Sequence, residues 1–190
     1  GLVGITSYST GILVVKFGVP FWLSLPLSGI TGIAAGLIYY YLLGRRLALF
    51  YLAIATFAVS EALVTLWLSI DYLGGALGFH GIPLKSEWHS VAIVLCIIIF
   101  CLWRFEKSRF WPAFLAIRES PIVAGAMGVN VEGMKMLAWS IGGFITGIGG
   151  NLWAHRVTII SPIDFSLNLT FVLILGVLLG GMRTFWGTIA

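Results

Sequence analysis

The chain has 190 residues, 59% of them hydrophobic and only 9% charged, with a mean hydropathy of +1.05. Soluble domains carry roughly 25% charged residues, so a soluble globule of this composition would be a core with almost no surface to cover it. The net charge of +4 could suggest nucleic acid, but the basic residues are distributed by side of a membrane, and that distribution argues against it.

Uncharged stretches recur at 17–44, 47–60, 90–103, 136–154 and 165–182. A helix needs about 20 apolar residues to cross a hydrocarbon core of roughly 30 Å, and lipid offers no partner to loose backbone groups, so these runs are expected to be helices. The fold class is therefore all-α, a polytopic transmembrane bundle of about six spans or partial spans. All 190 residues are expected to form one transmembrane domain. The opening run 1–15 is too short to span alone, the first residue is Gly1 and the last residues are apolar. The expectation is a fragment of a longer protein, for which a signal peptide cannot be judged.

In chain order, basic residues fall alternately in two sets. One holds Arg45, Arg46, Arg104, Lys107, Arg109, Arg118, Lys135 and Arg183; the other holds only Lys16, Lys85 and Arg156. By the positive-inside rule the first set faces the cytoplasm. The chain then runs outward to about residue 15, inward over 21–43, outward over 47–70, inward over 88–103, outward over 136–154 and inward over 165–182. Trp22, Trp88, Trp103 and Trp153 fall near span ends, where interfacial anchors belong.

Small residues recur at helical spacing: Ser28, Gly32 and Gly36; Gly143, Gly147, Gly150 and Ala154; Gly176 and Gly180. Small side chains let helix backbones approach closely, so these faces are expected to be helix contacts. Cys96 and Cys101 share one apolar span and read as small buried thiols. No metal site is expected.

In the third span Glu61 lies fourteen residues beyond Leu47, about 21 Å along a helix, and Thr65 and Ser69 follow on the same face. An ionisable group at such depth is costly and faces the bundle interior or a watery cavity. Two roles stay open: a hydrogen bond to a neighbouring helix, or a place along a translocation route shared with Thr65 and Ser69.

The loop 104–135 is too patterned for a linker. Pro112 can open one short helix, Ser120 and Pro121 supply an N-cap and first position for a second, and Gly128 suits the position just past its end. Two short helices on the cytoplasmic face are expected, with Phe114, Ile117, Ile122 and Val123 turned to the bundle and Arg118 and Glu119 turned out. Such an element either rests against lipid or docks a cytoplasmic partner.

The segment 110–131, FWPAFLAIRESPIVAGAMGVNV, resembles the cytoplasmic loop of LivM-type permease subunits of branched-chain amino-acid ABC transporters, whose pattern is close to G-R-x-x-x-A-I-R-E-x-x-x-A-A-x-x-x-G-I-N. Ala116, Ile117, Arg118, Glu119, Ala124, Gly128 and Asn130 match it without a gap. The run from Tyr51 to Glu61 resembles the family's Y-F-A-I-x-T-L-A-F-x-E. Gly142 to Trp153 is similar to its glycine-rich helix, Ser161-Pro162 with Phe165 to its S-P-x-x-F, and Gly180 to Gly187 to its G-G-x-G-T-x-x-G. The chain departs at Ala48 and Leu49, where the family has an arginine and a glycine, and at Leu73 to Gly78, where polar groups of T-G-G-S-D-G are lost.

The resemblance implies an importer subunit of the cell membrane: a permease that pairs with a second related permease, two cytoplasmic ATPases and an extracytoplasmic solute-binding protein. It implies coupling through Ala116 to Gly128, and contact with the binding protein around 74–81 and 161–165. The sequence has no G-x-x-x-x-G-K-[ST] phosphate loop, so ATP hydrolysis is expected on a partner and no cofactor is expected here. The solute class is branched-chain amino acids or small polar relatives such as urea or short amides. The alternative is a secondary transporter or channel using Glu61 as an ion or proton site. An intramembrane hydrolase fits poorly: His80, His89 and His155 are placed in outer loops or at an outer helix end, where they read as interfacial, and no G-x-S-x-G occurs. Asn168-Leu169-Thr170 matches a glycosylation pattern at the start of an apolar span and reads as chance.

Overall fold

In the computed structural model, residues 1–47, 49–70, 74–75 and 78–180 are described. Ala48, Leu73, Ala76, Leu77 and the motif residues Gly181 to Gly187 lie outside them. The described chain is helical: α1 (Leu2–Phe17), α2 (Phe21–Tyr39, continuing as a wider π turn over Tyr40–Gly44), α3 (Leu49–Ser69), α4 (Trp88–Glu106), α5 (Trp111–Glu119), α6 (Pro121–Ala126), α7 (Val131–Val157) and α8 (Leu167–Gly180). A 3₁₀ turn, Pro162–Phe165, precedes α8.

Three segments, Phe21–Gly44, Phe50–Ser69 and Trp88–Glu106, are long and apolar enough to cross a membrane. α1 is apolar but shorter. α7 outruns its apolar stretch because Asn130 caps it four residues before Met134, its side-chain oxygen accepting from the Gly133 amide at 2.9 Å, and Glu132 occupies the first turn where the helix dipole favours an acid. Gly18, at φ 63°, stops α1 in the left-handed conformation that costs glycine nothing. The chain then reverses within three residues into α2.

The centre of the fold is a trio of α1, α2 and α7. α2 and α7 touch backbone to backbone: a Cβ added at Gly32 would collide with the Gly143 carbonyl, and one at Gly147 with the Ser28 carbonyl. A Cβ at Gly36 would come within 2.7 Å of the Trp139 oxygen. Gly150 lies in the same way against Thr6 of α1. Pro26 interrupts the hydrogen-bond ladder of α2, which a membrane helix tolerates where neighbours cover it.

Around the trio, Tyr8, Val64, Trp67, Phe79, Ile82, Ile160 and Phe165 form one apolar cluster that attaches α3 and the segments that carry Phe79, Ile82 and Ile160. A smaller cluster of Phe21, Leu25, Val94 and Ile148 attaches the first half of α4. At the opposite end Arg45 and Glu132 form an exposed ion pair at 2.7 Å, which at such exposure contributes little.

Several sequence expectations are corrected here. Cys96 and Cys101 are free but exposed rather than buried, because α4 turns most of its surface outward. His155 is fully buried rather than interfacial. No atom lies within 4 Å of a Cβ built at Gly176, so the described residues supply no helix against that face.

Candidate functional site

The loop between α4 and α7 folds into two short helices meeting at Ser120. Pro112 and Pro121 sit in their first turns, where a missing N–H costs nothing. The Ser120 hydroxyl accepts the Val123 amide at 3.4 Å. After α6, Gly128 takes φ 84° and Val129 donates back to the Ala124 carbonyl at 3.0 Å, closing the helix end. Asn130 then starts α7. The loop is thus tied to α7 by backbone geometry, with four residues, Met127 to Asn130, between α6 and α7.

Inside this loop the burial differs from the sequence expectation. Phe114 and Ile117 are half-buried, with Phe114 against Phe105 at a ring separation of 5.7 Å. Ala124 is the buried contact of α6, whereas Ile122 is 85% exposed and Val123 and Met127 are exposed with it. The expected docking of Ile122 and Val123 into the bundle is therefore not seen: a six-residue helix has one inward face, and Ala124 occupies it. Ala116, Arg118 and Glu119 also face outward. The result is an apolar tip flanked by one base and one acid.

The α3 stripe is placed differently from a pore lining within this chain. Thr65 and Ser69 are exposed, and their hydroxyls donate to the carbonyls one turn back, Glu61 at 3.1 Å and Thr65 at 3.0 Å. The bundle-facing residues of α3 are Ser60, Val64 and Trp67. Glu61 is at the boundary: its Oε1 is enclosed and has no hydrogen-bond partner among the described residues, as is the hydroxyl of Tyr39. A Cβ at Gly1 would come 2.6 Å from the Ser60 hydroxyl and 2.7 Å from that of Tyr39. The beginning of α1 thus meets a small polar cluster on α2 and α3.

A second polar network was not anticipated. Thr6, Ser7, Thr10, Ser24, Ser28, Asn151 and His155 are all fully buried between α1, α2 and α7. Asn151 Nδ2 donates to Ser24 Oγ at 2.9 Å and to Thr10 Oγ1 at 3.5 Å, while Ser7 donates to the Gly150 carbonyl at 3.0 Å. His155 Nδ1 lies 3.0 Å from the Asn151 carbonyl, and its ring meets Phe21 edge-on at 5.0 Å. Serine and threonine scattered through apolar runs are the signal that could have found it: on α1 the set 6, 7, 10 is a helical face.

The two loops singled out by sequence are joined. Phe79 and Ile160 exchange both backbone hydrogen bonds, at 2.8 and 3.0 Å. Ser161 and Asp164 cap the 3₁₀ turn reciprocally, and Pro162 and Phe165 are buried beneath it. Among the described residues no cluster of three metal-ligating side chains occurs.

Comparison with known proteins agrees with this architecture. The family model described as branched-chain amino acid transport system / permease component matches residues 1–190. The chain is 27% identical to the high-affinity branched-chain amino acid transport permease LivM of Salmonella typhimurium, covering 96% of this chain and 51% of that protein. It is 30% identical to a probable branched-chain amino acid transport permease, LivH, of Methanocaldococcus jannaschii, over 77% of this chain and 52% of that one. It is also 23% identical to the autoinducer 2 import permease LsrC of an Enterobacter strain, over 98% of this chain and 55% of that one. The chain spans about half the length of the curated relatives it matches. No solved structure matches it.

Proposed function

This chain belongs to the family of branched-chain amino acid transport permeases, and from that premise we propose that it is a membrane-spanning subunit of an ATP-driven importer. It sits multiply threaded in the cell membrane, with the ends of α2 and α4 and the whole of α5 and α6 in the cytoplasm, as the positive-inside rule orients it. Its solutes are branched-chain amino acids or related small polar molecules; the relative named for autoinducer 2 supports a scaffold that serves more than one solute. Two cytoplasmic ATPases, a second related permease and a soluble binding protein complete the machine.

One observation carries the reading: α6 and the residue that follows it present Ile122, Val123 and Met127 to solvent at the tip of a loop whose base is built into α7. Exposing such an apolar tip is costly unless a partner covers it, and a partner that moves it moves α7, whose backbone is packed against α2. Ala116, Ile117, Arg118, Glu119, Ala124, Gly128 and Asn130 then form the coupling element, and alternating access follows from rigid movement of helix groups. Glu61, Thr65 and Ser69 face the second permease, lining the route between subunits.

The test is Arg118→Glu combined with Gly128→Val in the full-length protein. Valine resists the positive φ held by Gly128, and the reversed charge repels the partner surface. We expect membrane insertion to persist while ATP-driven uptake and co-purification with the ATPase are lost; normal uptake would sink the coupling role. The enclosed, unpartnered Glu61 Oε1 favours a second reading, proton or ion coupling. Glu61→Gln separates the two: in vesicles supplied with ATP and no proton gradient, uptake by wild type and variant alike is expected for the importer, and loss of wild-type uptake there would support the ion-coupled transporter.

A further inference from the structure

In the polar seam between α1, α2 and α7 the hydroxyl protons are all committed. A serine or threonine has one proton to give. Thr6 donates to the Val3 carbonyl at 2.9 Å, Ser7 to Gly150 at 3.0 Å and Thr10 to Thr6 at 2.8 Å. Ser24 donates to the Phe21 carbonyl at 2.7 Å and Ser28 to that of Leu25 at 2.8 Å. Ser24 and Thr10 therefore offer Asn151 lone pairs only, which settles that the amide nitrogen, not the oxygen, is on their side. His155 Nδ1 lies 3.0 Å from a carbonyl, that of Asn151, so Nδ1 carries the ring proton and Nε2 is an acceptor.

Two acceptors are then left over. Asn151 Oδ1 and His155 Nε2 belong to side chains with no exposed surface, and neither atom has a hydrogen-bond partner among the described residues. Buried polar groups in folded proteins are nearly always paired. The two side chains stand one turn apart on the face of α7 that meets α1 and α2. Residues at that spacing have Cβ atoms about 5–6 Å apart, a span that one small molecule with two hydrogen bonds of about 2.8–3.0 Å covers.

The chemistry of the pair selects the occupant. It must donate twice, which excludes an anion. A cation would be buried without a counter-charge: α1 and α2 contain no acid, and the sole acid of α7, Glu132, is at its other end. Lys85 is moreover close enough for its positive charge to act on the His155 ring. An unpaired buried charge costs far more than a neutral donor. Water has two donors and no charge, and buried waters characteristically serve groups that the protein leaves unpaired.

We propose that one water molecule is bound in this seam, donating to Asn151 Oδ1 and His155 Nε2. It joins the His155 ring to the network that runs through Asn151 to Ser24 of α2 and Thr10 of α1. The site is independent of the transport reading, and its test needs neither ATPase nor uptake.

The full-length protein with isotopically labelled histidine is placed in lipid nanodiscs and observed by solid-state NMR, the His155 signals being assigned by their loss in His155→Gln. A neutral ring with its proton on Nδ1 is expected, with a cross-peak from a slowly exchanging water. Asn151→Leu should abolish that cross-peak and leave the other histidine signals in place, which shows that the variant is folded. A map of the unaltered protein by electron cryo-microscopy needs no variant: density for one water within hydrogen-bond distance of both atoms is expected. The proposal is overturned by a ring proton on Nε2, or by a cross-peak that survives Asn151→Leu. A direct bond from His155 to Ser86, whose buried hydroxyl is also unpartnered, would overturn it as well. So would neither cross-peak nor density, or His155 signals that shift when sodium is exchanged for potassium, the sign of a bound cation.

Discussion

The α2–α7 contact and the surface of α4 are both apolar membrane helix surfaces, yet they are built on opposite rules. α2 meets α7 through Gly32, Gly36, Gly143 and Gly147, with backbone against backbone and hydroxyls buried beside them. α4 carries Ile93, Leu95, Ile97 and Phe100 outward, each at least half exposed. In lipid, burying a leucine against another helix gains little, because acyl chains are as apolar as the side chain; close approach and interhelical hydrogen bonds supply the association. Small and hydroxylated residues therefore mark what is fixed inside this subunit, and large aliphatics mark what faces lipid or another chain.

The largest test of that contrast is Gly147→Leu against Ile97→Leu. At Gly147 even a Cβ collides with the Ser28 carbonyl, backbone that cannot step aside, so a loss of about 3 kcal/mol or more is expected and folded protein should disappear from size-exclusion profiles. At exposed Ile97 the change should stay within about 0.5 kcal/mol. Equal tolerance would mean that the two helices do not touch as described. A middle-sized effect is expected for Asn151→Leu, which strips Ser24 and Thr10 of their shared donor; about 1–2 kcal/mol of lost stability should lower the unfolding midpoint in detergent. An unchanged midpoint would assign the buried seam no part in holding the trio. The smallest is Asn130→Ala. Loss of the cap on α7 costs about 1 kcal/mol and should show as faster amide exchange confined to the first turn of α7, with the midpoint nearly unmoved.

The rule also explains how much was legible in advance. Span positions, the Ser120–Pro121 start of α6 and the position of Gly128 follow from local chemistry, which a single sequence carries in full. The side each helix presents to its neighbours is a property of the whole bundle. Ile122 and Val123 were expected to turn inward because hydrophobic residues do so in water, but in a short helix beside a membrane Ala124 makes the contact and the larger residues stay out. The same bias placed Cys96 and Cys101 inside. Thr65 and Ser69 follow Glu61 at helical spacing, yet both are exposed while Glu61 Oε1 is enclosed. His155 was read by its distance from the span end, and only the packing of Phe21 and Asn151 around it reveals its burial.

The pairing of Phe79 with Ile160 has a consequence for synthesis. The two residues lie about 80 apart in the sequence, and a ribosome adding roughly 5–20 residues per second separates their emergence by about 4–16 s. Throughout that interval Phe79 lacks its backbone partner, while the residues of α4 to α7 are being added. The pairing therefore cannot close until α4 to α7 have all been made.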